Sequence, residues 1–324
     1  MNRTITDITK FICCVGVFLN HFFLRSPFVS FLGPTACAIF FMLSAYGICL
    51  SLNRKPMGFT RFMLKRVLKI YIPLLMVNVL AISLTSSLCC RNLAIPTFGI
   101  YGDRLNFLEN ISCVQVIYYI IGIYKIDEVT WFLDVLFASY IFIWLFKQIK
   151  NNRLRVLMCV CTYFAYVFIS FRITPPVSFG HILDPLGVVV GVVLAEMPSV
   201  FSYLKAKVNN SLSFIFGGLT IGLGLLLGCL QFLQGRYIKL IFAFIVILGM
   251  LMVIGISSNS HARLYKYAVW LGGTSYFVYL VHVKIMNLVF VFYGEKSMIL
   301  SLLGIGLTSA VLYWFYQKIL YYIK

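Results

Sequence analysis

Acidic side chains are scarce in this chain, with 9 Asp and Glu among 324 residues against 27 Lys and Arg. Charged residues of both signs make up 11% and hydrophobic ones 61%. That balance excludes a water-soluble globular domain, in which about a quarter of residues are charged. There is no G-x-x-x-x-G-K-[ST] and no G-x-G-x-x-G, so nucleotide hydrolysis and dinucleotide redox chemistry lack their usual phosphate cradles. An internal repeat of fixed period and a low-complexity linker are also missing. Histidines number four, none clustered with cysteine, and the ten cysteines contain no C-x-x-C pair. No metal site is indicated.

What the sequence has instead is long apolar runs. Stretches of spanning length fall at 11–25, 29–52, 68–88, 131–149, 156–172, 183–198, 212–233, 237–256, 269–293 and 298–320, which predicts an all-α bundle of about ten transmembrane helices. The first run is not expected to be a cleaved signal, because no small-residue cleavage site follows it and His21 and Arg25 interrupt its end. Segment 114–124 is too short to span and is expected in the interface or folded back. One long connection, 89–130, stands among short loops, and residues 1–324 read as a single membrane domain with no appended soluble part.

The cations decide orientation. With the N-terminus inside the cell, only eight of 27 fall on the outer side (Arg25, Arg91, Arg104, Lys125, Arg172, Arg236, Lys239 and Lys296), Lys284 lies within a span, and the rest are inner. The positive-inside rule therefore places both termini in the cytoplasm. The net charge of +18 reflects topology and gives no support to a nucleic-acid partner. Cys13, Cys14, Cys37, Cys49, Cys159, Cys161 and Cys229 lie in spans, where cysteine acts as a small hydrophobe. Cys89, Cys90 and Cys113 share the outer connection, where a disulfide stays open.

Ionisable groups inside a membrane are costly and point to function. Lys10 and His21 stand eleven residues apart in TDITKFICCVGVFLNHFF, and three helical turns return them to nearly the same face, roughly 16 Å apart along the axis. Their stripe is expected to line a polar path into the bilayer. His181 reads as an outer-loop residue and His261 as an inner-loop one, so His21 and His282 are the histidines within spans.

Five stretches, in order, resemble the acyltransferase-3 family of integral membrane O-acyltransferases that modify bacterial surface glycans. Asp7-Ile-Thr-Lys10 with His21 is similar to the family's Arg/Lys-x10-His element. FFMLSAYGI at 40–48 resembles F-F-x-x-S-G-Y, with Ala45 where glycine is usual. KRVLKIYIP at 65–73 resembles Arg-x-x-Arg and its following proline, with Lys69 in the second arginine's place. WFLDVLFASY at 131–140 resembles a W-F-L…Y signature, with Leu136 where one branch has glutamate. GTSYFVYLVH at 273–282 matches S-Y-x-x-Y-L-x-H, with Val283 where proline often follows. The resemblance extends from residue 7 to 282.

It implies an O-acetyltransferase of the cytoplasmic membrane that takes acetyl from cytosolic acetyl-coenzyme A and delivers it to a hydroxyl of a surface glycan or its lipid-linked precursor. An alcohol needs a base to attack a thioester, and imidazole has the suitable basicity. His21 with Lys10 is the expected catalytic pair, with His21 acting as base or as covalent acyl carrier. Cations at 54–69 suit the phosphates of coenzyme A: Arg66 first, Lys65 and Lys69 in support, although lysine lacks the planar fork. Ser44, Tyr46, Ser275, Tyr279 and His282 are expected to line the path or to serve interhelical hydrogen bonds. Trp131 and Asp134 are weaker candidates for a sugar-facing platform. Two other readings compete: a secondary transporter in which the same groups relay protons, and an acyltransferase acting on a small secreted molecule or lipid. A transporter built of inverted repeats would carry Gly/Pro-broken helices at matching positions, and none is seen.

Overall fold

The computed structural model describes residues 3–23, 32–88, 94–96, 107–109, 112–121, 132–172, 179–199, 262–293 and 297–323. Among them are nine helices: α1 Arg3–Phe22, α2 Leu32–Arg54, α3 Phe59–Leu88, α4 Cys113–Ile120, α5 Phe132–Lys147, α6 Asn152–Arg172, α7 Phe179–Glu196, α8 Ala262–Tyr293 and α9 Met298–Ile323. Five are long and apolar enough to cross a membrane, Leu32–Arg54, Phe59–Ser87, Asn152–Ser170, Lys266–Tyr293 and Met298–Tyr322. The expected spans 11–25, 131–149 and 183–198 overlap α1, α5 and α7, which are not among those five, while 212–233 and 237–256 lie outside the described residues, as does His261. These residues form two compact units, Met1–Arg61 with Asp134–Val269 and Phe62–Leu133 with Trp270–Lys324.

In the first unit α2 is the interior helix. Ala36, Ala38, Ile39, Phe41, Met42, Ala45 and Ile48 are all buried, so it is apolar on every side. Its principal neighbour is α7. A β-carbon on Gly187 would run into the Ala38 backbone, and one on Gly191 would meet the Met42 carbonyl and the Ala45 methyl. Gly187 and Gly191 are four apart, the small-x-x-x-small spacing that lets membrane helices approach backbone to backbone. Residue numbers of the contacting positions rise together along both helices, so α2 and α7 run parallel. On another side of α2, Gly16 of α1 meets Leu32 and Ala36, and a β-carbon on Gly33 would fall 2.7 Å from the Asn20 amide carbon. That pairing is antiparallel.

The second unit is built on α3, α8 and α9. Gly273 of α8 lies against the Tyr313 ring and Gly304 of α9 against Ile285, so α8 and α9 run antiparallel, with Phe277 packed on Tyr313 and Tyr316. Pro73 sits inside α3. Residues 114–124 largely form α4, opened by a Ser112/Gln115 capping box. The buried Asn78 amide donates to the Tyr119 and Ile120 carbonyls at 2.9 and 3.3 Å, supplying a partner to last-turn acceptors. Ala94–Pro96 and Phe107–Glu109 pair as β1 and β2, antiparallel. Strands of three residues are too short to show a periodicity in the sequence.

Three further details place residues named above. The basic segment 54–69 is mostly helix: α2 runs to Arg54 and α3 starts at Phe59. Phe59 packs on Trp144, whose indole donates to the Met57 carbonyl at 3.1 Å, and this anchors the turn between α2 and α3. His181 belongs to the first turns of α7. Cys113, exposed at the start of α4, is a free thiol.

Replacing Gly187 with valine should cost about 1–3 kcal/mol by overpacking the α2–α7 seam. Gly306→Ala, with open space around its β-carbon, should leave the protein unchanged or slightly stabilised. Thermal midpoints of the two variants in detergent measure the difference, and equal midpoints would contradict the seam.

Candidate active site

Helix α1 carries the first pair. It is unbroken from Arg3 to Phe22, so the eleven-residue spacing of Lys10 and His21 is a helical one. Cys13, Cys14, Val17 and Phe18 are buried, whereas Ile8 and Ile12 are exposed on the other side. At 100° per residue the Lys10 and His21 stripe lies at the centre of the buried arc. Both positions are only partly exposed. Lys10 donates to the Asp7 carboxylate at 3.1 Å, three residues before it. Asp7 therefore matches the lysine charge locally.

Elsewhere in the first unit, Ser44 Oγ and Tyr140 Oη lie 3.3 Å apart and join α2 to α5. Tyr46 is half-buried beside the Gly191 contact. Asp134 is exposed in the first turn of α5, where a carboxylate favours the helix dipole. Trp131 lies outside the described residues.

In the second unit the basic residues stand on α3. Lys65 and Lys69 are exposed, one turn apart; Arg66 is half-buried, with its guanidinium 5.5 Å from the centre of the Phe62 ring. Phe62 is fully buried, so it holds Arg66 by a cation–π contact. On α8, Ser275, Tyr279 and His282 are all buried on one face. The Ser275 hydroxyl donates to the Gly272 carbonyl of its own helix at 2.7 Å. His282 Nδ1 lies 2.6 Å from the Tyr279 carbonyl oxygen. The group of Tyr279 that orients the imidazole is thus its backbone, which no side-chain pattern could have revealed.

An acyltransferase-3 model, described as an acyltransferase domain, matches residues 5–317. The chain belongs to that family. No curated protein and no solved structure matches it. The family match spans both units and all five resembling stretches, and it makes the protein a membrane acyltransferase.

Two features of this acyltransferase escaped sequence reading. Glu196, at the end of α7, is buried with its carboxylate between Lys147, at 2.8 Å, and Arg155. Arg155 also donates to the Phe146 and Ile149 carbonyls at 3.1 and 2.6 Å and to Asn152 Oδ1 at 3.1 Å, and Lys147 donates to Asn53 of α2. Two cations counted as topological therefore clamp α2, α5, α6 and α7 together. The second is Asp184, one turn before Gly187, which is fully buried; neither of its oxygens has a hydrogen-bond partner among the described residues.

Ser44→Ala tests which role that hydroxyl serves. As an interhelical bond it should cost about 0.6 kcal/mol of stability and leave kcat unchanged. A loss of tenfold or more in kcat at an unchanged thermal midpoint would place Ser44 in the acyl path instead.

Proposed function

We propose that the protein is a multi-pass O-acetyltransferase of the cytoplasmic membrane, with about ten spans and both termini in the cytoplasm. It moves an acetyl group from cytosolic acetyl-coenzyme A to a hydroxyl of a cell-surface polysaccharide or its lipid-linked precursor. The observation that carries this reading is the buried stripe of α1, where Lys10 and His21 share one face in an acyltransferase-3 chain. His21 takes the hydroxyl proton, the oxygen bonds the acetyl carbon and the carbon–sulfur bond breaks. Lys10, with Asp7 beside it, holds a cation near the start of the stripe. Arg66, oriented by Phe62, binds a phosphate of the coenzyme with Lys65 and Lys69 in support. Tyr46, Ser275, Tyr279, Trp131 and Asp134 are assigned to the acceptor side. The acceptor is reached through membrane lipid or from the outer surface, and no nucleic acid takes part.

A lost general base costs about 10²–10⁴ in rate, so His21→Ala should abolish glycan acetylation while the protein is still inserted and expressed. Lys10→Arg should retain activity and Lys10→Ala should not, because any one cation among many would suffice for topology alone. Surface-glycan ester content by NMR reads both. Undiminished acetylation in His21→Ala, or equal activity in the two Lys10 variants, would sink the assignment.

A further inference from the structure

The ring of His282 is under a constraint imposed by its own helix. A carbonyl oxygen can only accept, so the 2.6 Å contact with Tyr279 makes Nδ1 the donor in the neutral ring and in the charged one alike. Any proton that His282 gains or loses is therefore carried on Nε2. The same carbonyl takes the helical N–H of Val283, four residues on, and its two lone pairs accommodate both donors. The proline common at that position in the family would leave the carbonyl to the imidazole alone; Val283 keeps the helical bond and the ring bond together.

The neighbours of His282 connect it to the basic end of α3. Phe132 packs edge-on against the Tyr279 and Tyr276 rings, at 4.7 and 6.4 Å, and the Tyr276 hydroxyl donates to the Ile70 carbonyl at 3.3 Å. Arg66 is four residues, about 6 Å, before that joint along α3, and His282 is six residues, about 9 Å, beyond it along α8. As the third and ninth spans of the expected topology, α3 and α8 run the same way. The cation and the imidazole then lie on opposite sides of the joint, about 15 Å apart along the axis. Coenzyme A has a matching layout, with charged phosphates separated from the sulfur by a long uncharged arm.

We propose that His282 is the acid that protonates the departing sulfur of coenzyme A, a role that rests on the acetyltransferase reading above. The acceptor oxygen gives up its proton and bonds the acetyl carbon. The carbon–sulfur bond breaks with its electron pair on sulfur. The proton on His282 Nε2 passes to that sulfur, giving the free thiol and a neutral ring whose Nδ1–H still points at Tyr279. The acceptor's proton is released to water and His282 takes one up between turnovers, so the transfer is proton-neutral.

Asparagine at position 282 separates the two ring nitrogens, because its amide N–H stands where Nδ1–H stood and nothing replaces Nε2. Reconstituted H282N should keep the wild-type thermal midpoint and Kd for coenzyme A, while kcat for thiol release falls by about 10²-fold or more. R66A should do the reverse, with weakened coenzyme A binding and the smaller loss in kcat. In 15N-histidine-labelled protein, the signals lost in H282N should show a protonated Nδ1. Full kcat in H282N, coenzyme A binding weakened as in R66A, or a bare Nδ1 would each overturn the proposal. The nitrogen spectrum reads the ring without turnover. A wild-type protein that transfers no acetyl group would overturn the acetyltransferase reading and the acid role with it, even with Nδ1 protonated as described.

Discussion

Backbone-to-backbone contact between α2 and α7 is the constraint on which the first unit depends. Lipid offers no hydrophobic force between helices, so association rests on close packing and interhelical polar contacts. Gly187 and Gly191 supply the first by leaving room for the Ala38 and Met42 backbones. Ala45 fits because α7 presents Gly191 opposite it. The parallel seam continues to the ends of both helices, where Lys147 bridges Glu196 of α7 and Asn53 of α2. With α2 fixed as the interior helix, α1 is seated by Gly16 and Gly33, and the stripe of Lys10 and His21 turns inward.

Several polar groups buried inside this apolar chain have matched partners, near in sequence or far along it. Asp7 answers Lys10 within one turn, and Asn78 answers the end of α4. Glu196 answers two cations at once. Removing one partner of such a buried cluster costs far more than the cluster contributes over an apolar replacement, so these contacts fix arrangement more than stability. Asp184 is the contrast, a carboxyl that no described neighbour satisfies.

Much of this was legible in the residues. The eleven-residue spacing of Lys10 and His21, the small polar positions of the late helix and the apolar runs all follow from periodicities that a helix must obey, and the family match covers the stretches that carried the resemblance. What was not legible depends on which surfaces meet. The spacing of Gly187 and Gly191 is visible in the sequence, but nothing there says that α2 is the partner. Arg155 and Lys147 look like any inner-face cations until Glu196, far along the chain, is folded between them. The first turns of α3 lie outside the expected span 68–88 because their cations mask the apolar period that Phe62 and Ile70 keep. The orientation of His282 comes from a backbone carbonyl, and that is absent from any pattern of side chains.

The central claim is that the protein breaks a thioester and moves an acyl group instead of a solute. Proteoliposomes with the Lys65–Lys69 end of α3 facing outward should release free thiol from added acetyl-coenzyme A and form an acetyl ester on an acceptor glycan, with no proton or sodium gradient imposed. Gradient-driven solute flux that persists without any acyl donor, with no thioester cleaved, would contradict it.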